Sequence, residues 1–154
     1  MIVVSPIAHV SNARTAPTDD QWGPIVSEIT LVDSLTPDAL EGIEEFSHVE
    51  IVYHFHQVDI AQVEHGARHP RDNEEWPLVG IFAQRGRGRP NRLAVSVAEV
   101  VLHNGRTLTV RGLDAIDGTP VLDIKPVMAE FLPRGSVRQP QWSRELMRSY
   151  WTRE

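Results

Sequence analysis

Apolar and polar positions alternate most clearly from His48 to His56, where Val49, Ile51, Tyr53 and Phe55 point one way and His48, Glu50, Val52, His54 and His56 the other. That two-residue period is the mark of a strand with one buried face. Further strands are predicted over Ile2 to Val10, Glu28 to Val32, Leu78 to Gln84, Ala94 to Leu102, Thr107 to Leu113 and Val121 to Ile124, each rich in β-branched or aliphatic residues and bounded by turn-forming ones. Asn104-Gly105 supplies the positive φ values of a tight turn and makes a hairpin of the strands on either side. Asp117-Gly118-Thr119-Pro120 is a second turn, and Pro126 ends the strand that follows. Thr36-Pro37-Asp38 offers a helix cap, a proline at the first helical position and a first-turn acid, with Gly42 as a stop, so one helical turn is expected there. Ser11 to Asp20 reads as a loop. From Gln57 to Pro77 the periodicity disappears, which predicts a long irregular connection that orders on contact with a ligand or partner.

The end of the chain has a different period. Trp142, Leu146, Met147, Tyr150 and Trp151 recur at helical spacing, predicting a C-terminal helix over 140–151 whose aromatic stripe packs on the rest of the protein or on a second subunit. Closely spaced strands with little helix between them predict a mainly β fold: a single antiparallel β-barrel with short helical segments and that C-terminal helix. At 154 residues the chain is expected to form one domain over 1–154.

Composition narrows the chemistry. With no cysteine there are no disulfides, thiolate nucleophiles or zinc-finger sites, so any metal has to be held by histidine and carboxylate. No apolar run approaches the length of a membrane span and no export signal opens the chain, so no membrane association and a cytoplasmic location are expected. The net charge of −6 argues against indiscriminate binding to polyanions. Arginines nevertheless cluster at Arg85, Arg87, Arg89 and Arg92, with Arg68 and Arg71 upstream, and Lys125 is the only lysine. The cluster reads either as a solvated loop or as a basic patch suited to phosphate and carboxylate.

Several familiar motifs are excluded. Gly86-x-Gly88-x-x-Asn91 is followed by strand-like residues where a dinucleotide loop needs a helix, and there is no Walker loop or nucleophile elbow. His54 and His56 share a strand face and could ligate a metal with Glu50 in a cupin-like barrel, although histidines at a strand end often only hydrogen-bond. The densest polar signal is Leu113 to Pro126, in which Asp114, Asp117, Asp123 and Lys125 crowd a stretch bent by Gly118 and Pro120. Asp117 closing its own turn and Asp123 pairing with Lys125 would account for part of that string.

Read together, Gly80-Ile81-Phe82-Ala83-Gln84-Arg85, Arg89-Pro90-Asn91, Gly42 to His48, Phe55-His56-Gln57 and Asp117-Gly118-Thr119-Pro120-x-x-Asp123-x-Lys125-Pro126 resemble the TrmO-like (TsaA/YaeB-type) tRNA-modifying methyltransferases, from about Ile7 through Pro126. The resemblance implies a barrel enzyme that binds S-adenosylmethionine where two subunits of a homodimer meet and methylates the exocyclic nitrogen of threonylcarbamoyl-adenosine beside the tRNA anticodon. It implies cofactor contacts at Gln21, His56, Gln57, Arg85, Val95, Arg111, Gly112, Leu113 and Asp114, and substrate contacts to RNA at Arg89, Asn91 and Lys125. The chain departs from the family pattern at Gln84, Gly86, Arg92, Ala94 and Val127, where threonine, serine, proline, glycine and tyrosine are usual. Methyl transfer to a ureido-like nitrogen requires that nitrogen to lose its proton, and Asp117 is the candidate acceptor. Two other readings remain: the same cofactor pocket acting on a different acceptor, and the metal-binding barrel built on His54 and His56.

Overall fold

The computed structural model describes residues 1–152, so the last two positions of the domain expected over 1–154 lie outside the described residues. The strands are β1 (Ala8–Ser11), β2 (Val26–Leu31), β3 (His48–His54), β4 (Ala67–Arg68), β5 (Val79–Gly80), β6 (Leu93–Asn104), β7 (Thr107–Arg111) and β8 (Pro120–Pro126). Six of them close an antiparallel barrel in the order β1-β2-β7-β6-β3-β8, while β4 and β5 form a small separate ribbon. Closure is possible with so few strands because β6 turns a corner: Leu93 to Glu99 pairs with β3 and Glu99 to Asn104 with β7. The register shift between Val100 and Leu102 marks the bend, as an extra residue in one strand adds local twist.

Strand alternation decides what fills the barrel. Val49, Ile51 and Tyr53 of β3 point inward with Ala8 and Val10, Ile29 and Leu31, Leu108 and Val110, Ala98 and Val121 from the other strands. Leu113 and Ala115, beyond β7, plug one end of this core. Fully burying a side chain such as Ile51 stabilises the fold by about 1.5 to 3 kcal/mol.

The structure corrects several local expectations. Leu78 to Gln84 is not a buried strand: only Val79–Gly80 pairs, Ile81–Ala83 forms a 3-10 turn, and Leu78 and Phe82 are 61% and 76% exposed. A short apolar run has no period to orient it. β1 begins at Ala8, leaving Ile2 to Val4 exposed and outside any strand. The hairpin turn falls on Gly105-Arg106, with Asn104 paired to Thr107 and only Gly105 at positive φ, the geometry of a turn with glycine first. The expected helical turn is a 3-10 turn over Pro37–Leu40, and a second follows at Ile43–Glu45. The C-terminal helix α1 (Gln141–Leu146) is half the length expected over 140–151, and turns and bends carry the chain through Trp151.

An ion pair spans the hairpin and the second 3-10 turn. His103 places Nδ1 3.0 Å from Glu44 Oε2 and Nε2 2.9 Å from the Gly105 carbonyl, so the doubly protonated ring donates to both. The Gly105 carbonyl and then Glu44 raise the His103 pKa above the ordinary imidazole value. The contribution to stability is therefore complete below that ordinary value and fades as pH rises through the raised one. In an NMR titration His103 should lose its proton at higher pH than a free imidazole, and Glu44→Gln should move it only part of the way back. Independently, Ile51→Ala should lower unfolding free energy by about 2 to 5 kcal/mol in urea titration, because its cavity lies in the fully buried wall of the barrel.

Candidate functional site

In an antiparallel barrel, neighbouring strands run in opposite senses, so the C-terminal ends of β1, β7 and β3 meet the N-terminal ends of β2, β6 and β8 at one mouth. The loops spanning 12–25, 55–92 and 112–119 therefore emerge together, while the opposite mouth carries the tight β6-β7 turn. A cleft of about 470 Å³ lies between those three loops and the C-terminal tail. That is within the usual range for a small-molecule site.

Arginines hold the loops in place. Arg87 Nη1 donates to the Pro17 carbonyl at 2.6 Å and Arg71 pairs with Asp20 at 3.0 Å, tying the long loop to the first one at two points. Arg85 Nη2 donates to the Val95 carbonyl at 2.6 Å, Arg89 Nη1 to Gln84 at 2.7 Å and Arg92 Nη1 to Val58 at 2.8 Å. Arg14 donates to the Thr18 hydroxyl and to the carbonyls of Asp20 and Gln21, with its guanidinium 4.1 Å from the Trp22 ring centroid. The arginine cluster is thus neither a free loop nor an unengaged basic surface: Arg85, Arg87, Arg89 and Arg92 each tie down a backbone carbonyl with one donor, which leaves the remaining donors of the fork for a ligand, whereas Arg14 and Arg71 are more fully engaged.

The cleft has aromatic walls and a carboxylate. Trp22, Tyr53, Phe55, Phe82, Tyr150 and Trp151 line it, together with His56, Gln57, Arg85 and Asp114. Tyr53 Oη donates to Asp114 Oδ1 at 2.8 Å and to the Asp114 carbonyl at 3.0 Å, and Tyr150 Oη donates to Asp114 Oδ2. Burial and then the Asp114 charge raise the pKa of both phenols, so they remain protonated donors at neutral pH.

Of the cofactor, RNA and proton-acceptor positions named from the sequence, His56, Gln57, Arg85, Arg89, Val95 and Asp114 line the cleft. The others do not. Gln21 sits at the rim with φ of 68°, a conformation that strains a residue with a side chain, and its amide donates to the Ser149 carbonyl. Arg111 pairs with Glu99 at 3.2 Å, Gly112 turns the chain at φ of 82°, and Leu113 is wholly buried in the core. Asn91 occupies a left-handed turn beside the cleft. Asp117 Oδ1 accepts the Asn12 amide at 3.0 Å and its own amide donates to the Arg14 carbonyl at 2.7 Å, which joins two loops. Lys125 lies near the far end of β8, 2.7 Å from Asp123. Tyr53 was legible only as a core residue and Tyr150 only as part of a packing stripe; no local signal points either at the cleft.

No three histidine or acidic side chains among the described residues approach closely enough to hold a metal. β3 ends at His54, and His56 turns into the cleft while His54 is not among its lining residues, so the shared face expected for a metal pair is broken. Burial, followed by the charges of Arg92 and His56, lowers the His54 pKa.

Gly23 permits the tail to approach. The amides of Gln21, Trp22 and Gly23 donate in succession to the carbonyls of Ser149, Tyr150 and Trp151 at 3.0, 2.8 and 2.9 Å. A Cβ on Gly23 would stand 2.0 Å from the Trp151 carbonyl oxygen. Gly23→Ala should therefore release the tail, read as faster hydrogen exchange at the Gln21 and Trp22 amides with barrel amides unchanged.

Residues 8–131 match the model of the tRNA-methyltransferase O N-terminal domain. Over 101 residues the chain is 43% identical to a protein of Pyrococcus abyssi named a probable S-adenosyl-L-methionine-binding protein, covering 66% of this chain and 52% of that one. It is 40% identical over 110 residues to the tRNA (adenine(37)-N6)-methyltransferase of Escherichia coli, covering 68% of this chain and 46% of the relative. A crystal structure of TrmO from Pseudomonas aeruginosa superposes with a TM-score of 0.71 at 28% identity, over 90% of this chain and 61% of that chain. The chain spans about half the length of these two sequence relatives.

Proposed function

The chain belongs to the family of the tRNA-methyltransferase O N-terminal domain, and from that premise we propose that it transfers a methyl group from S-adenosylmethionine to an adenine nitrogen of tRNA. Two relatives carry the halves of this reading in their names, one as a binder of the cofactor and one as a methyltransferase of tRNA adenine. The finer proposal is that the acceptor is the exocyclic nitrogen of threonylcarbamoyl-adenosine beside the anticodon. The observation that carries the reading is the meeting of Phe55-His56-Gln57, Arg85 and Asp114 in one cleft, although they lie on separate loops.

The cleft suits the donor's chemistry. S-adenosylmethionine supplies an electrophilic methyl on a cationic sulfur, joined to an aromatic base and to an amino acid bearing both charges. Aromatic walls offer stacking for the base, the Asp114 carboxylate offers a counter-charge for a cation, and Arg85 keeps donors for a carboxylate. Methyl transfer is an in-line displacement, and holding both reactants aligned lowers such a barrier by about 7 to 11 kcal/mol. His56, Gln57, Arg85, Val95 and Asp114 form the donor site in this proposal, with Arg89 toward the RNA. The Asp117 carboxylate, engaged by the Asn12 amide, holds the loop that presents Asp114.

A homodimer fits the outer face of β6. Leu93, Val95, Val97, Val101 and Leu102 are exposed along that strand, and Val95 also borders the cleft. An apolar row of this kind is covered when a second copy packs on it, and the donor site then lies at the subunit boundary. No helix among the described residues is long and apolar enough to cross a membrane. The cytoplasmic location belongs to this proposal through its tRNA substrate.

One observation favours a second reading, the same donor with another acceptor. Arg92 has φ of 50°, which a proline cannot adopt, so the 85–94 loop takes a course closed to sequences with proline there. Calorimetry should show S-adenosylmethionine binding to the protein and at least tenfold weaker binding to Asp114→Asn. Mass spectrometry of tRNA nucleosides after incubation with the cofactor should then show methylated threonylcarbamoyl-adenosine. Binding without that product favours the other acceptor, and absence of binding rejects both readings.

A further inference from the structure

The family match ends at residue 131, yet Leu146, Met147, Tyr150 and Trp151 line the same cleft. We infer that the C-terminal tail is a working wall of the donor site and that Tyr150 is a positioning residue, acting through the carboxylate of Asp114. The inference rests on the proposed binding of S-adenosylmethionine.

Three observations bear on it. Asp114 lies on an irregular loop, where the backbone alone leaves a carboxylate free to rotate. Tyr53, from the rigid end of β3, engages Oδ1 and the Asp114 carbonyl, which leaves Oδ2 to be fixed from the other side. Tyr150 supplies that second donor. With one phenol on each oxygen, the carboxylate plane is set and each oxygen keeps a lone pair for a ligand. A phenol is a protonated donor throughout the neutral range, and burial with the Asp114 charge pushes both of these further from ionisation.

The tail is itself anchored away from Asp114. The three-rung ladder to Gln21, Trp22 and Gly23 fixes the backbone on both sides of Tyr150, and Trp76 Nε1 donates to Glu145 Oε2 at 2.9 Å to hold α1. Trp151 packs edge-on against Tyr150, with ring centroids 4.8 Å apart. Tyr150 therefore reaches Asp114 from a fixed support, as a positioning group must. The tail leaves the cleft open, with the volume described above still accessible, so it bounds the site and does not plug it.

The test is a double-mutant cycle on cofactor affinity. Calorimetry with S-adenosylmethionine is run on the full chain, on Tyr150→Phe, on Asp114→Asn and on the pair, with thermal melting of each. Tyr150→Phe keeps the ring and its packing and should weaken binding about tenfold while melting close to the parent. In the Asp114→Asn background the same change should have less than a twofold effect, because the group it orients has lost its charge. Affinity for Tyr150→Phe equal to that of the parent, or an equal loss in both backgrounds, would overturn the positioning role. If the folded parent does not bind the cofactor, the donor reading fails first and the inference falls with it. If Tyr150→Phe melts well below the parent, the cycle is completed with Tyr53→Phe and its pair with Asp114→Asn: coupling there but equal losses for Tyr150→Phe leaves Tyr150 a packing residue and overturns the inference.

Discussion

β8 has to pair with β1 on one edge and β3 on the other, and this double pairing determines where everything else can go. Once the sheet closes in antiparallel order, loops can leave only from two mouths, and the long ones share one of them. Three chain segments far apart in sequence are delivered to a common rim without any helix to carry them. The barrel itself contributes little chemistry to that rim. It contributes rigidity: Tyr53 is the last inward-facing residue of β3, and its hydroxyl projects from the core into the cleft.

The rim is a second layer with a different source of order. Its segments have only short 3-10 turns and the two-residue β4-β5 ribbon as regular structure, and arginine-to-carbonyl contacts supply ties within and between the loops. A guanidinium can span neighbouring loops and still present donors outward, which a lysine ammonium on its flexible stem does less well. The near absence of lysine thus acquires a structural meaning. The negative net charge is compatible with an anionic ligand because Arg71, Arg85, Arg87 and Arg89 stand together on the lining of one cleft.

How much of this was legible in the sequence follows from the range of the interactions. The alternation over His48 to His56 places β3 almost to the residue, because period-two burial is a local property. The resemblance brings Phe55-His56-Gln57, Arg85 and Asp114 to one place. The spacing of Trp142, Leu146 and Tyr150 overextends the helix, since the carbonyls of residues 149–151 accept the amides of residues 21–23, and that partnership crosses nearly the whole chain. Asp117 attracts attention as a carboxylate among carboxylates, whereas its partner, Asn12, is 105 positions away. Leu78 to Gln84 reads as buried because it is apolar, but two of its largest side chains stand on the surface, Phe82 on the cleft itself.

The pairing of Lys125 with Asp123 near the end of β8 remote from the cleft has a practical side. A side-chain amine occurs once in the whole chain, and the neighbouring carboxylate raises its pKa. Once the more acidic α-amine of the first residue has been blocked by acylation near neutral pH, chemistry directed at that side-chain amine at alkaline pH would attach a fluorophore or a solid support at one defined point. The cleft would then face away from the attachment, and immobilised molecules would present it in a single orientation.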